Sequence, residues 1–312
     1  MSVGQCMSRP HPRVVAEDDS RARAERPYVR CHACGCAENA VFLTARGYRA
    51  VRCKGCGLVF VNPQPSDREL DALYASHDQG DQWHLHEDRF NHAVRREISR
   101  FCRSGSVLDV GCGAGDFLRV MREAGFSVAG VERSERGWQY ATRSYGLDVF
   151  HGSVEEFLAS GEKRSFDVIT ILNVLEHLKH PRTALESLAA LSRRHSLLVV
   201  VVPDARLHAM MAKVRKVLGC RDPYWMDSEY QPVVAIDPPY HLTCFEPRTL
   251  RFLIEGCGYR ILKLANAPVI SNPERWKSVS KAAVAAGGKF LSAVTWGKLV
   301  VGYSTIAIAQ KQ

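Results

Sequence analysis

The feature that most constrains this chain is a glycine-rich loop at residues 109–115, which lies between a short apolar run and an amphipathic segment. Gly111, Gly113 and Gly115 alternate with other residues in the sequence Val-Leu-Asp-Val-Gly-Cys-Gly-Ala-Gly. Glycine permits a positive φ and lets the backbone approach a ligand closely, and the start of a helix offers unpaired N–H groups. The loop therefore predicts a ligand-binding turn between a buried strand and a helix.

The glycine spacing and the acid beside it restrict the ligand. A dinucleotide-binding loop has the pattern G-x-G-x-x-G and places a pyrophosphate at the start of the helix. This loop has the pattern G-x-G-x-G instead, and Asp109 precedes it. A carboxylate at that place would repel a pyrophosphate but could hold an ammonium group, which the methionine end of S-adenosylmethionine carries.

Beyond Ser106, short apolar runs alternate with amphipathic segments, which is typical of βαβ units and a mainly parallel sheet. We predict seven strands, at 106–110, 127–132, 148–150, 166–172, 197–202, 259–264 and 300–309. Helices are predicted to begin near Gly115, Ser134, Val154, Pro181 and Glu246. The expected fold is a doubly wound α/β domain with a seven-stranded, mainly parallel, Rossmann-like sheet.

Further polar motifs follow the predicted strands. Glu132 ends the second strand, where a carboxylate can accept hydrogen bonds from ribose hydroxyls. The run 152–155 follows the third strand and the run 173–177 follows the fourth. Ligands bind at the carboxyl ends of strands in such sheets, so these motifs should meet in one pocket. The predicted cofactor-binding residues are Asp109, Gly111, Cys112, Gly113, Gly115, Glu132, Ser153, Val154 and Asn173.

With these motifs after successive strands in this order, residues 106–180 resemble the class I S-adenosylmethionine-dependent methyltransferases and their acid-x-G-x-G-x-G signature. The resemblance implies that Asp109 and the glycines hold the methionine end of the cofactor and that Glu132 holds its ribose. It places the adenine near Ser153, where many relatives carry aspartate. It also implies methyl transfer to an oxygen or carbon of a small molecule, a glycan or a nucleotide-sugar precursor.

Two C-x-x-C pairs near the N-terminus, separated by 18 residues, predict a structural zinc site with the ligands Cys31, Cys34, Cys53 and Cys56. Cys36 and His32 are alternative ligands, and iron is an alternative metal. A redox role of the cysteine pairs is the alternative to metal binding. The eleven cysteines are an odd number, which indicates a reducing compartment rather than a disulfide framework.

The chain divides into four predicted parts: a disordered segment at 1–27, a zinc-ribbon module at 28–62, a helical linker at 63–104, and the methyltransferase domain at 105–312. The insertion 203–240 within the last part lacks clear periodicity and is assigned to substrate handling. Residues 31–74 resemble the N-terminal zinc ribbon of bacterial methyltransferases that act on sugars and cell-envelope glycans. That resemblance implies that the ribbon shapes or covers the acceptor site.

Candidate catalytic residues lie after the fourth and fifth strands. Glu176, His177 and His241 could take a proton from the acceptor, and His241 is the preferred base. The alternative is that the Glu-His pair caps or packs a helix and that His241 is an ordinary loop histidine. The D-P-P-Y motif at 237–240 is typical of amino-methyltransferases when it follows strand four; here it follows strand five, so we interpret it as a chance likeness.

Charge suggests the partners. The net charge is +9, and the surplus lies at the two ends of the chain, with 10 bases against 5 acids in residues 1–62 and 10 against 3 in residues 241–312. A basic surface suits an anionic acceptor, so RNA methylation is the alternative enzymatic function. A non-catalytic zinc-ribbon scaffold is the third hypothesis for the function. The basic segment 275–289 could touch a membrane surface or cover the sheet, and we favour the cover.

The sequence shows no apolar run of the roughly 20 residues that a spanning helix needs, and its first residues lack the apolar core of a secretory signal. We therefore expect a cytoplasmic enzyme without a transmembrane span. The sequence does not predict an oligomeric state.

Overall fold

The computed structural model describes residues 26–45, 47–77, 88–206, 238–268 and 302–312. Three predictions fall mainly or wholly outside the described residues: the disordered segment, the insertion between 207 and 237, and the basic segment at 275–289. Within the described residues, no helix is long and apolar enough to cross a membrane.

The N-terminal part of the described chain contains three short strands followed by two helices. The strands are β1 (Asn39–Ala45), β2 (Tyr48–Cys53) and β3 (Val59–Val61), and the helices are α1 (Asp67–His77) and α2 (Asp88–Ile98). Ser66 caps the start of α1, because its hydroxyl accepts from the Glu69 N–H while the Glu69 carboxylate accepts from the Ser66 N–H.

The remaining strands are β4 (Ser106–Val110), β5 (Ser127–Glu132), β6 (Val149–His151), β7 (Phe166–Leu172), β8 (Ser192–Pro203), β9 (Thr243–Cys244), β10 (Tyr259–Asn266) and β11 (Ser304–Lys311). All of these except β9 form one sheet in the order β10-β11-β8-β7-β4-β5-β6. β11 is antiparallel to both of its neighbours, and the other pairs are parallel. The seven-stranded, mainly parallel prediction is confirmed.

The helices lie on both faces of this sheet, as expected of a doubly wound fold. They are α3 (Asp116–Glu123), α4 (Glu135–Tyr145), α5 (Val154–Ala159), α6 (Pro181–Ala190) and α7 (Pro247–Glu255). Side chains alternate across β8 because successive residues of a strand face opposite sides: Val200 and Val202 join the core that contains α5, α6 and α7. Val199 and Val201 join the core that contains α2 and α3.

The start of β8 and the packing of the predicted linker differ from the sequence expectation. β8 begins at Ser192, five residues before the predicted start at 197, because exposed polar residues at 193–195 hide the strand pattern. Helix α2 buries Phe90, Val94 and Ile98 against the central sheet, so this half of the predicted linker is a layer of the α/β fold.

The small sheet joins the ribbon to the α/β domain. Its order is β1-β2-β3-β9, and β9 comes from the chain between β8 and α7. Leu58 and Phe60 of the ribbon are fully buried and belong to the same core as Phe245 and Leu250. The ribbon is therefore continuous with the core of the larger domain.

Candidate active site

The glycine loop leaves β4 at its carboxyl end and turns into α3. Gly111, Gly113 and Gly115 have φ values of 73°, 54° and 83°, a region that other residues rarely adopt. A Cβ at Gly111 would lie 2.5 Å from Val174 Cγ2, whereas a Cβ at Gly113 would meet nothing within 4 Å. The glycines thus serve two needs, since Gly111 makes room for the loop after β7 and Gly113 borders open space.

Asp109 lies at the end of β4 and is only 3% exposed. Thr170 Oγ1 donates a 2.6 Å hydrogen bond to Asp109 Oδ1. Burial is the main cause that raises the pKa of Asp109, the Thr170 hydrogen bond opposes it and the nearby Glu132 carboxylate adds to it, and the resulting pKa is about 7. A buried carboxyl of this kind would gain from an incoming ammonium group, because the cation stabilises its ionised form.

Glu132 ends β5 and ties the glycine loop to the next turn. Its carboxylate accepts hydrogen bonds from the Gly113 N–H at 2.6 Å and from the Ser134 N–H at 2.7 Å. A carboxylate has about four acceptor positions, so a group of this kind at the end of β5 can bind several donors at once. The residue is 8% exposed, as expected for a group at the edge of a pocket.

Ser153 is the helix cap of α5. Its hydroxyl accepts from the Glu156 N–H at 3.1 Å, and the Glu156 carboxylate accepts from the Ser153 N–H at 2.7 Å. Val154, the next residue, is buried in the core at 5% exposure. The Ser153 hydroxyl oxygen and N–H both take part in the cap of α5, and the adenine contact of Ser153 stays a prediction.

Cys112 and Asn173, two further predicted cofactor residues, are held mainly by their backbones. The Cys112 N–H donates to the Val131 carbonyl, and its own carbonyl accepts from the Gly115 N–H. Asn173 follows β7 with a φ of 57°, and its N–H donates to the Val201 carbonyl at 2.8 Å. Both residues shape the loops around the site, and Cys112 turns a buried side chain toward Gly130.

The second part of the site joins the loop after β7 to the chain before β9. Glu176, His177 and His241 each place one side-chain nitrogen or oxygen within 4.8 Å of the others. The His177 and His241 rings meet edge to face with their centroids 4.9 Å apart, and His177 Nε2 is 3.9 Å from Glu176 Oε1. Two imidazoles and a carboxylate are also a donor set that a divalent transition metal accepts.

Glu176 is the most unusual member of this cluster. It is 2% exposed, and neither carboxylate oxygen has a hydrogen-bond partner within the described part of the chain. Burial raises its pKa to about 8, so the carboxyl group is mostly protonated at neutral pH. Buried groups of this type are destabilising unless something pairs with them, which is typical of functional sites.

The orientation of His177 follows from one contact. Its Nδ1 lies 2.7 Å from the Tyr240 carbonyl oxygen. Because a carbonyl only accepts, Nδ1 carries the proton of this bond, and in the neutral ring Nε2 holds the lone pair. Tyr240 belongs to the D-P-P-Y motif, and its contribution here comes from the backbone.

Sequence comparison identifies the family. Residues 83–264 match the family model described as a methyltransferase domain. The chain belongs to this methyltransferase family. Among its relatives, the mitochondrial ubiquinone biosynthesis O-methyltransferase of Schizosaccharomyces pombe is 36% identical over 124 residues, which are 37% of this chain and 44% of the relative. The ubiquinone biosynthesis O-methyltransferase of Bordetella avium is 31% identical over 101 residues, which are 31% of this chain and 42% of the relative.

The matched part of the chain thus spans less than half the length of either relative. Among solved structures, a SAM-dependent methyltransferase from Archaeoglobus fulgidus aligns with a TM-score of 0.47 and 23% identity, over 74% of this chain and 100% of that one. The magnesium protoporphyrin IX methyltransferase of Synechocystis with bound SAH aligns with a TM-score of 0.45 and 15% identity, over 79% and 95%.

The four cysteines of the ribbon lie together. The Sγ atoms of Cys31 and Cys56 are 3.5 Å apart, as are those of Cys34 and Cys53, and all four sulfurs lie within 4.8 Å of one another. A tetrahedral zinc ion with Zn–S bonds of about 2.3 Å separates its sulfurs by roughly 3.8 Å. The cluster therefore fits a structural zinc ion.

The two alternative zinc ligands point elsewhere. Cys36 Sγ donates to the Glu38 carbonyl at 3.7 Å. His32 turns toward the α/β domain, where its Nε2 lies 2.9 Å from Gln64 Nε2 and its ring meets Phe60 edge to face. The amide nitrogen of Gln64 donates in this contact, so His32 Nε2 accepts.

Two supporting groups of the site were not predicted from the sequence. Thr170 holds Asp109, and its signal was present, since it is a polar residue inside the apolar strand Phe-Asp-Val-Ile-Thr-Ile-Leu. The Tyr240 carbonyl orients His177 across 63 residues of chain. A backbone contact of this kind leaves no signal in the sequence.

Proposed function

We propose that this protein transfers the methyl group of S-adenosylmethionine to a hydroxyl oxygen of a small-molecule acceptor. The observation that supports this most strongly is the buried Glu176 carboxyl, which has no hydrogen-bond partner among the described residues and lies beside His177 and His241, at the end of the sheet that also carries the glycine loop. The names of the two relatives specify O-methylation, which favours oxygen over carbon. A glycan or nucleotide-sugar precursor is a member of the same acceptor class.

The cofactor would be held by residues of the β4 and β5 ends. Asp109 would face the ammonium group, Glu132 would accept from the ribose hydroxyls, and Gly113 would allow close approach of the loop. Ser153 and Val154 would border the adenine through the α5 turn rather than through the Ser153 hydroxyl. When bound, S-adenosylmethionine supplies an electrophilic methyl group on a sulfonium centre.

The protein's own contribution to the chemistry is positioning and proton transfer. We assign His241 as the base that takes the acceptor's hydroxyl proton while the oxygen becomes methylated. His177 is held by the Tyr240 carbonyl and packs against His241. The neutral Glu176 carboxyl can donate a hydrogen bond within the cluster, and it releases its proton as the pH rises through about 8.

The four ribbon cysteines would hold one structural zinc ion, closed to substrate. Cys31 and Cys53 are buried and Cys34 is exposed, so the site lies near the surface but without an open coordination position. This arrangement favours a structural over a catalytic metal.

Two alternative functions receive less support. An RNA acceptor needs unpaired basic side chains along its path, but several described arginines face acids: Arg119 faces Asp88 and Glu123, Arg164 faces Asp148 and Glu162, and Arg193 faces Asp167. A non-catalytic scaffold would not need the buried Glu176 cluster. The cytoplasmic location stays a prediction of the sequence.

The test uses methyl-labelled S-adenosylmethionine with fractionated small-molecule, lipid and RNA extracts. We expect label in a small-molecule hydroxyl compound, and label in the RNA fraction with a steep salt dependence would contradict the proposal.

With the acceptor known, His241→Ala should lower kcat by about 100-fold or more while S-adenosylhomocysteine binds as before. His92→Ala, on α2 and away from the cluster, is the matched control. An unchanged kcat for His241→Ala would exclude His241 as the base.

A further inference from the structure

The segment that carries His241 is bonded on both sides. On one side the Leu242 N–H donates to the Glu176 carbonyl at 2.8 Å, and on the other the Val61 N–H donates to the Leu242 carbonyl at 2.9 Å. The strand pairing then continues, with Phe60 opposite Thr243 and Val59 opposite Cys244. The backbone beside His241 is therefore a bridge between the catalytic loop and the ribbon.

The ribbon strand in this bridge begins just after a zinc-ligand pair. Cys53 and Cys56 form the second C-x-x-C turn, in which the Gly57 N–H donates to the Cys53 carbonyl at 3.0 Å. The Cys53 N–H donates in turn to the Leu58 carbonyl at 2.9 Å. Leu58 leads directly into β3, so the position of β3 depends on the fold of this turn.

The first C-x-x-C turn is anchored to the α/β domain by Arg182 in α6. Its guanidinium donates to the carbonyls of His32 and Ala33, which lie between Cys31 and Cys34, and to the Gly256 carbonyl at 3.0 Å. Guanidinium groups suit such multiple contacts because their five donors are fixed in one plane.

Gln64 makes a second anchor to the same turn. Its amide nitrogen lies 2.9 Å from His32 Nε2 and 3.2 Å from the Lys179 carbonyl. Lys179 follows the catalytic loop by two residues. Both anchors thus join a zinc-ligand turn to the chain that leaves Glu176 and His177.

From this arrangement we infer that the zinc ribbon positions the catalytic base: the metal-held turns fix β3, and β3 fixes the backbone that carries His241 against Glu176 and His177. The inference rests on the proposed function, in which His241 is the base. It assigns Arg182 as a positioning residue, because among the described residues its guanidinium bonds to the ribbon carbonyls, Gly256 and Glu186 and to no member of the catalytic cluster. A ribbon that merely covered the acceptor site would hold the acceptor but would leave His241 in place.

The first test replaces Arg182 and compares a matched arginine. Arg182 and Arg251 each form an ion pair with a glutamate four residues later in a helix, but only Arg182 reaches the ribbon. Arg182→Gln should lower kcat roughly tenfold or more, since small displacements of a catalytic group have large effects. The affinity for S-adenosylhomocysteine and the zinc content should not change, and Arg251→Gln should behave like the wild type.

The second readout is hydrogen exchange of the amides in 241–245, measured in the full chain. We expect faster exchange there in Arg182→Gln and after zinc is removed with a chelator, and recovery of both exchange and kcat when zinc is returned. If the zinc-free chain unfolds entirely, the zinc-loaded Arg182→Gln protein gives the decisive measurement. Unchanged exchange at 241–245 with unchanged kcat in that variant would overturn the inference.

These outcomes separate the inference from the proposed function. If His241→Ala keeps full activity, the proposed base is wrong, whatever the exchange data show. If His241→Ala is inactive but Arg182→Gln raises only the KM for the acceptor, with slow exchange at 241–245, the ribbon covers the acceptor and does not position the base.

Discussion

At the scale of the residue, the site combines carboxyl groups in unlike surroundings. Glu132 accepts two backbone N–H groups, and Asp109 accepts one hydroxyl while deeply buried. Glu176 has no hydrogen-bond partner within the described chain. Since burial without partners disfavours the charged form, Glu176 is the carboxyl whose ionisation should cost the fold most.

Replacing Glu176 with Gln tests this cost. Its pKa is about 8 in the fold against an ordinary value of 4.5, so the folded state binds the extra proton and stability falls as pH rises through that window. At pH 7 the penalty is on the order of 3 kcal/mol, and Glu176→Gln should remove it.

The measurement is the free energy of unfolding by urea at several pH values. The variant should be more stable than the wild type at pH 7, with the difference shrinking toward pH 4.5. Glu255→Gln, at an exposed position of α7, should show no such pH dependence. A Glu176→Gln protein that is less stable at every pH would show that the carboxyl has a partner that the fold requires.

Gly113 and Gly146 offer a second test at the residue scale. Their φ values are 54° and 59°, and a Cβ at either would meet nothing within 4 Å. Alanine at each should therefore cost about the same strain, roughly 1–2 kcal/mol. Only Gly113 borders the proposed cofactor space, so only Gly113→Ala should weaken S-adenosylhomocysteine binding, by about tenfold or more.

Calorimetric titration and thermal unfolding of both variants measure these two effects. Equal losses of affinity in the two variants would place the cofactor away from the loop.

At the scale of the element, side chains in the turns after the parallel strands β5 and β6 cap the helices that follow. The turn after β6 is the clearest example, because Ser153 and Glu156 form a reciprocal capping box for α5. The sequence assigned Ser153 to the adenine on its place after the third parallel strand. The same residue type is favoured as a helix cap, and the structure shows that role.

Ser153→Ala should therefore act on stability rather than on binding. We expect a loss of about 1 kcal/mol in the free energy of unfolding, with the affinity for S-adenosylhomocysteine within about twofold of the wild type. Ser134→Ala, which removes the comparable cap of α4, provides a reference for the cost of a lost cap. A large loss of affinity for S-adenosylhomocysteine with unchanged stability would support the prediction that Ser153 contacts the adenine.

At the scale of the whole molecule, the ribbon and the α/β domain share one core. Leu58 and Phe60 pack in the same buried cluster as Leu185, Phe245 and Leu250, and Arg52 of β2 forms a 3.0 Å ion pair with Glu246. Apolar burial across the boundary couples the two parts, because neither can unfold without exposing surface of the other.

Calorimetric unfolding of the zinc-loaded protein should therefore show one cooperative transition. Phe60→Ala, which removes a fully buried ring, should lower the stability of the whole molecule by about 3–5 kcal/mol and keep a single transition. The exposed Phe252→Ala should have a small effect. Two separated transitions in the wild type would contradict the shared core.

The sequence by itself determined the parts of this protein that depend on local chemistry. Glycine spacing specified the loop, because only glycine adopts positive φ without strain. The alternation of apolar runs specified the strands of the α/β sheet, and the C-x-x-C spacing brought four thiols into reach of one ion. The places of Gly111, Glu132 and Cys53 in the fold therefore follow from the residues next to them in the chain.

Tertiary structure alone decided how these parts meet. The pairing of β3 with β9 joins Val59 to Cys244 and Phe60 to Thr243, far apart in the chain, and backbone hydrogen bonds of this kind do not depend on which side chains are present. Glu176 and His241 are ordinary residue types, and their properties come from burial and from each other's position. The glycine loop could be predicted from the sequence because the residues that form it lie within 109–115. The proposed acceptor site could not, because it forms only where distant segments of the chain come together.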